Sequence, residues 1–578
     1  MKNITRDQAN LLPLLSQIYP AEVAVGLEQA IVERINLIHR GNDVQQLDGL
    51  TSSSVMLISY ADTFTRRGQA PLQTLKQVVD QYLKPFIDSI HILPFYPWSS
   101  DDGFAVMDLS AVNSEVGDWT DIENLGQDYQ LMFDGVINHL SAKSTWFKAF
   151  LAGDPKFENY FITVEPEDLE LLSEVVRPRT LPLVHPFHKE DTELLIWTTF
   201  SEDQVDLNYA NPEVLLSILD VLLDYANKGA KYIRLDAIAY LWKALGSSSI
   251  HLPQTHALIQ LMRRVLHLAG KPVRLVTETN VPHADNTSYF GDGNNEAHLV
   301  YNFALPPLLL HSLYSGDTEA LSKWASELKT PHPEAHFFNF TASHDGIGIT
   351  PLLGLVPEAD IEAICQQIKT LGGFVSMKSL PDGSEIPYEL NINWLDAMEI
   401  PDEPGHNHTS EQIARFFLTQ GVMLSLKGLP GIYVHSLFGS QGWIGGVQET
   451  GSARSVNREK LDADILDTVL NDPNSRRSII FSRYATLLKV RAHEPAFDPG
   501  AEQRILKSPP GSFIVERKSV EGNRLICIFN FRPITSHYDL SQLSKNNVDY
   551  TDLLSGSVLK GEILHLKPYT MAWLKAGI

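Results

Sequence analysis

A chain of 578 residues, 43% hydrophobic and 20% charged, has enough apolar material to bury a large core. Its formal charge of −24 excludes nucleic acid and anionic membrane surfaces as partners, since both require basic patches. Any anionic substrate must therefore be met by arginines and histidines gathered locally against the field of the whole molecule.

Only two cysteines occur, Cys365 and Cys527, each within an apolar run, and no Cys/His ligand spacing is present, so neither a disulfide nor a metal site is expected. The start of the chain, Met1-Lys2-Asn3-Ile4-Thr5-Arg6-Asp7, has no signal-peptide core, and no apolar run reaches the length of a membrane span. A cytoplasmic protein is expected.

Residues 1–50 read as an amphipathic helical extension, with Leu11, Leu12, Leu15 and Ile18 and then Leu27, Ile31, Ile35 and Ile38 at helical spacing. From residue 51 the pattern becomes strand, helix, strand. Apolar runs at Val55–Asp62, Ile90–Tyr96, Tyr129–His139, Tyr232–Ile238, Val273–Thr279, Leu299–Phe303, Phe337–Ala342 and Gly431–His435 give eight strands, most of them separated by helical segments. Eight alternating units predict an α/β fold, a closed (β/α)8 TIM barrel, with its first part over 51–139 and its second over 206–494. Two connections are too long for plain loops. Residues 140–205, after the third strand, read as an inserted subdomain. Residues 346–415, after the seventh, read as loops over the barrel mouth, through Pro381-Asp382-Gly383 and Pro401-Asp402-Glu403-Pro404-Gly405. From 495 to 578 a period-two pattern returns, as in Ser512–Arg517 and Arg524–Phe531, predicting a small all-β C-terminal domain.

The polar residues fall where a barrel places its chemistry, at strand C-termini. They are Asp134, Asn138 and His139; Arg234 and Asp236; Glu278; and His344 and Asp345. Arg234 and Asp236 are two apart, so a strand points both to one side. An ordinary buried salt bridge is the alternative for that pair, and helix capping for any single acid. The repetition over several strand ends argues for function. Carboxylates converging on one pocket suit glycosidic chemistry, in which one attacks the anomeric carbon and one protonates the leaving oxygen. Neighbouring strands four and five can bring Asp236 and Glu278 to the roughly 5–5.5 Å separation of a retaining pair. Arg234 is expected to lower the pKa of Asp236 and keep it ionised, with Glu278 protonated at rest.

Taken together, Asp134…Asn138-His139, Arg234-Leu235-Asp236, Glu278 and His344-Asp345 resemble the four motif regions of the α-amylase superfamily. The segments Ser100-Asp101-Asp102-Gly103-Phe104, Arg177-Pro178-Arg179, Gln204-Val205-Asp206 and Asn457-Arg458 resemble its sucrose-phosphorylase-type subfamily. The resemblance implies a nucleophile at Asp236, a general acid/base at Glu278 and a transition-state-stabilising carboxylate at Asp345. It implies a glucose subsite lined by Asp101, His139, Arg234, His344 and Arg458, with Phe104, Phe200, Gln204 and Tyr240 around the glucosyl or acceptor site. The acceptor loop Pro387-Tyr388-Glu389-Leu390 carries Glu389 where sucrose-cleaving members carry Gln, so Tyr388 and Glu389 are candidate acceptor contacts. With Trp98–Phe104, Thr277–His283 and Arg454–Arg458 it looks most like the members that phosphorolyse glucosylglycerate, which implies inorganic phosphate as co-substrate, D-glycerate as acceptor and no cofactor. Arg179 and His283 are the expected counter-charges for these anions, each with an ordinary structural alternative. Sucrose, sucrose 6-phosphate and glucosylglycerol remain alternative substrates. Hydrolysis or transglucosylation is a rival activity, and a catalytically silent binding barrel a rival class. The assembly leaves room for a homodimer.

Overall fold

The computed structural model describes residues 4–38, 47–380, 383–399, 408–543, 549–560 and 563–577. Eight parallel strands close on themselves: β1 (Met56–Ser59), β2 (Ser89–Ile92), β3 (Gln130–Gly135), β4 (Ala230–Leu235), β5 (Arg274–Thr277), β6 (Leu299–Tyr301), β7 (His336–Asn339) and β8 (Leu429–Tyr433), with β8 pairing back to β1. Each expected strand is present but shorter than its apolar run. The run after β3 breaks at Val136, and His139–Ser141 leaves the barrel to pair with Gln204–Asp206. Strands buried on both faces read as continuous apolar runs, which is why they were visible in the sequence.

Register decides what meets at the mouth. Arg234 on β4 lies opposite Asp134 on β3 and Val276 on β5. One step further on, the Asp236 amide donates to the Gly135 carbonyl and the Glu278 amide to the Leu235 carbonyl, each at 3.2 Å. The barrel ladder therefore carries Asp236 and Glu278 to the same end side by side. Ala237 then takes a left-handed backbone, with φ of +48°, and the chain turns into Ile238–Tyr240. A non-glycine residue is strained there, and its place beside Asp236 is typical of functional turns.

The insertion after β3 holds the helix Thr145–Leu151 and a three-stranded sheet of Thr163–Val164, Thr192–Trp197 and Val184–Lys189. The segment after β7 differs from its expectation as loops. It folds into the helix Glu358–Thr370 and a hairpin of Phe374–Ser379 with Glu385–Asn391, whose second strand also pairs with Ile347–Gly348. The reason is local: Ile386, Tyr388 and Leu390 alternate with polar residues, a strand pattern that the surrounding Pro and Gly obscure. Pro381, Asp382 and residues 400–407 lie outside the described residues.

The N-terminal helices Leu12–Ile18 and Ala21–Ile38 pack on the barrel helices Pro253–Leu268 and Pro212–Asn227, which flank β4 in sequence. Tyr19 donates to the Tyr209 carbonyl at 2.8 Å and Arg34 pairs with Asp220 at 2.9 Å. At the opposite end of the chain a six-stranded sheet packs on the barrel. The fully buried Arg517, on that sheet, stitches it there by donating to the carbonyls of Ser425, Asp498, Ala501 and Glu502. A second fully buried arginine, Arg491 on the helix Arg476–Ala492, donates to the carbonyls of Ser52, Ser54, Leu424 and Phe497. No helix among the described residues is long and apolar enough to cross a membrane. Cys365 and Cys527 are unpaired and buried.

Candidate active site

At the C-terminal end of the barrel a cleft of about 630 Å³ is lined by Asp101, Phe104, His139, Arg179, Phe200, Gln204, Asp236, Tyr240, Glu278, His344, Asp345 and Tyr388. Arg234, Arg458 and Glu389 stand directly behind this lining, each bonded to residues of it or close to it. His283 does not join them. Its ring packs on Phe337 and accepts from the Trp324 indole at 3.5 Å, and burial lowers its pKa, which disfavours the charge expected of it. A histidine directly after Pro282, at the first position of a short helix, carried no signal of which way its ring would point.

Arg234 is the hub. It is buried, bonds Asp134 and Asp236 through one nitrogen, the latter at 2.9 Å, and lies 3.9 Å from Glu278. Asp134 is fixed on its other side by His91 at 2.7 Å. Glu278 accepts from the strained Ala237 amide at 2.9 Å, so the turn after Asp236 aims the neighbouring carboxyl.

The electrostatics differ from the expectation for Asp236. Burial raises both the Asp236 and the Glu278 carboxyls. Arg234 opposes this at each, but repulsion from Glu278, Asp134 and Asp345 adds to it at Asp236. Two such carboxyls titrate as a unit and retain a shared proton more readily than either alone. The direct Arg234 bond to Asp236 favours the anion there, and the longer contact leaves the proton to Glu278. Asp345 goes the other way. Burial would raise it, but Arg454, His344, Arg458 and Arg234 together hold it below the usual carboxylate range. Asp101 is likewise lowered against burial by Arg179, Arg458 and Arg454.

The apolar wall is a stack. Phe104 lies parallel to His344 with centroids 4.8 Å apart, and Tyr60 meets His344 edge-on at 5.8 Å. Burial pushes His344 down to about 3, so it is a neutral donor or acceptor at physiological pH. His139 bonds the Phe104 carbonyl at 2.9 Å and contacts Gln204 at 3.2 Å. Arg179 reaches in from the insertion after β3, 3.6 Å from Asp101 and over the Phe200 ring. Arg458 bonds Asp102 at 2.6 Å and the His344 carbonyl at 3.0 Å, and lies 3.6 Å from both Asp101 and Asp345. Asp101 and Asp102 are consecutive left-handed residues, with φ of +52° and +46°, which turn the loop after β2 back to face that arginine.

One charged lining residue was not among the candidate site residues. Arg454 lies 2.7 Å from Asp345 and forks onto Glu389 through bonds of 3.0 and 2.6 Å. The segment Arg454–Arg458 carried a resemblance in the sequence, but nothing there gave Arg454 a role of its own. Among the described residues no group of three or more His, Cys, Asp and Glu could hold a metal ion.

A closed parallel barrel with two adjoining strand-end carboxyls, a third held anionic and a pocket lined with aromatic and polar groups is the framework of an enzyme acting on glycosidic bonds. The model of the alpha-amylase catalytic domain matches residues 58–350, and the chain belongs to that family. It is 47% identical over 515 residues to the glucosylglycerate phosphorylase of Spirochaeta thermophila, covering 88% of this chain and 86% of that one. It is 41% identical over 565 residues to the glucosylglycerate phosphorylase of Escherichia coli (strain K12), covering 97% and 99% respectively. Among solved structures, sucrose 6F-phosphate phosphorylase from Thermoanaerobacter thermosaccharolyticum superposes with a TM-score of 0.72 at 22% identity, over 91% of this chain and 100% of the other, a likeness of fold.

Proposed function

We propose that the chain is a retaining glycoside phosphorylase that reversibly converts 2-O-α-D-glucosyl-D-glycerate and phosphate into α-D-glucose 1-phosphate and D-glycerate. The observation that carries this is the ladder-locked pairing of Asp236 and Glu278 around Arg234, in a chain similar over nearly all its length to phosphorylases of that name. Asp236 attacks the anomeric carbon while Glu278 protonates the departing glycerate oxygen, leaving a β-linked glucosyl ester. Phosphate then attacks from the vacated face, Glu278 takes the proton back, and the product keeps the α configuration. Asp345, held anionic, receives sugar hydroxyls, and the Phe104–His344 stack flanks the ring. Phosphate is the only co-substrate in this reading, with no metal or organic cofactor. A cytoplasmic location is in keeping with two unpaired buried cysteines. A homodimer is carried forward as a proposal that sedimentation analysis tests.

The experiment is product analysis with and without phosphate. The expected result is glucose 1-phosphate formed only when phosphate is present, and D-glycerate preferred over glycerol, fructose and fructose 6-phosphate in the reverse direction. Glucose release at a similar rate without phosphate would make the chain a hydrolase. A preference for fructose would move it to the sucrose-cleaving enzymes.

A further inference from the structure

Both small partners in the proposed reaction are anions, and they enter a site already crowded with carboxylates. The arginines nearest the catalytic carboxyls are not equally available to them. Arg234 is buried between Asp134 and Asp236, and Arg458 between Asp102 and the His344 carbonyl. Arg454 is different, because its two contacts are of unequal quality. Its Nε and Nη2 edge makes two well-formed hydrogen bonds to Glu389. Its Nη1 lies 2.7 Å from Asp345 Oδ1, yet that buried oxygen has no hydrogen-bond partner among the described residues, so the contact is off the line of a hydrogen bond. The arginine is thus hydrogen-bonded at one edge and held by charge alone at the other.

The anchor is built by close packing. A Cβ on Gly346 would stand 2.5 Å from Glu389 Cγ and 2.7 Å from the Leu390 carbonyl oxygen, so only glycine lets Glu389 come this near to Asp345. On the other side, Asn457 donates to the Asp345 carbonyl at 3.0 Å, tying the loop that bears Arg454 to the same strand end.

We infer that Arg454 is the anion-receiving group of the acceptor subsite, anchored on Glu389 and released from Asp345 when sugar hydroxyls take that carboxylate. This rests on the proposed function, which gives Asp345 to the sugar. A guanidinium has two forks, and Glu389 fills one. Once the glucosyl unit occupies Asp345, the Nη1 and Nη2 fork opens to a phosphate or to the carboxylate of an acceptor, which it fits with two parallel bonds. The anion therefore binds better after the sugar than before it, and the two ligands are coupled through one side chain.

The test reads binding. Inorganic phosphate is titrated calorimetrically into full-length Asp236→Asn protein, with and without D-glucose. Glucose is expected to tighten phosphate binding at least fivefold. Adding Arg454→Gln should weaken phosphate at least tenfold and remove the glucose effect. Equal phosphate affinity with and without Arg454, or a glucose effect that survives its loss, overturns the inference. Should Arg454→Gln fail to fold, Arg454→Lys, which keeps the charge without the fork, carries the test: an unchanged affinity and an unchanged glucose effect again overturn it. In turnover, Arg454→Gln should raise KM for D-glycerate by a larger factor than KM for glycerol, and equal factors count against it. The titration reads no turnover, so its failure leaves the proposed reaction standing, and failure of wild-type phosphorolysis leaves the titration readable.

Discussion

Asp236 and Glu278 must divide a proton between them, and the direction of that division sets the pH dependence. Both carboxyls are raised by burial, and Asp236 further by its acidic neighbours. Activity needs Asp236 ionised and Glu278 protonated. The rate should therefore fall as pH drops through the first ionisation of the pair and fall again as pH rises through the second, giving a bell. Glu278→Gln should abolish the alkaline limb for a substrate whose leaving group needs no proton, measured by its pH–rate profile. Asp236→Asn should lower turnover by several orders of magnitude with an unchanged melting temperature. Near-normal turnover would remove it as nucleophile. Arg179 is placed differently: it is only part-buried and lies 3.6 Å from Asp101. Arg179→Ala is expected to raise KM for phosphate or acceptor several-fold while sparing hydrolysis of the glucosyl intermediate, and unchanged dependence on both ligands would take it out of the site.

At the scale of elements, the barrel strands were legible because burial on both faces leaves an apolar run with its polar residues displaced to the end. Asp236, Glu278 and Asp345 stood out for that reason. The hairpin after β7 was not legible, because Pro387 interrupts its alternation and Gly372-Gly373 precedes it. The role of Arg454 was not legible for a related reason: its partners lie 65 residues away on that hairpin and 109 away after β7, and no local pattern relates them. His283 lies outside the cleft lining, which the sequence could not show, since only packing decides whether a lone ring faces a pocket. The hairpin itself offers a prediction. Gly346→Ala forces a Cβ against Glu389 and Leu390, so the hairpin must lift. A stability loss of about 1–3 kcal/mol is expected for such overpacking, together with a higher KM for the acceptor. A melting temperature and KM equal to wild type would mean the hairpin does not depend on that close approach.

At the scale of the molecule, acid should be the sensitive direction. Burial lowers His336 to about 4 and His344 and His435 to about 3, and His298 is lowered well below its ordinary value by burial and by repulsion from Arg263, Arg274, His267 and His336. The unfolded chain protonates these rings near pH 6.5. Between that pH and about 3–4 the unfolded state binds more protons than the folded one, so stability is complete above about 6.5 and declines as pH falls through this window. Urea melts at pH 7.5 and 5 should show a lower midpoint at pH 5, and His435→Gln should narrow the gap. Equal midpoints would contradict these assignments. The −24 charge spread over the chain belongs to this scale too, and says nothing of the two arginines, Arg179 and Arg454, that line the cleft.

Arg491 has a consequence for the order in which the chain is made. The carbonyls of Ser52 and Ser54, just before the first barrel strand, take their buried hydrogen bonds from a guanidinium 439 and 437 residues later. A nascent chain leaves the ribosome at roughly 5–20 residues per second, so that edge of the barrel waits tens of seconds for its donor to be translated. For most of that interval β1 also lacks its partner β8, and an unpaired strand edge is a surface on which chains associate. Synthesis of this enzyme therefore carries a long window of vulnerability to aggregation, in which the strand edge closes only with β8 and its buried carbonyls are satisfied only with Arg491.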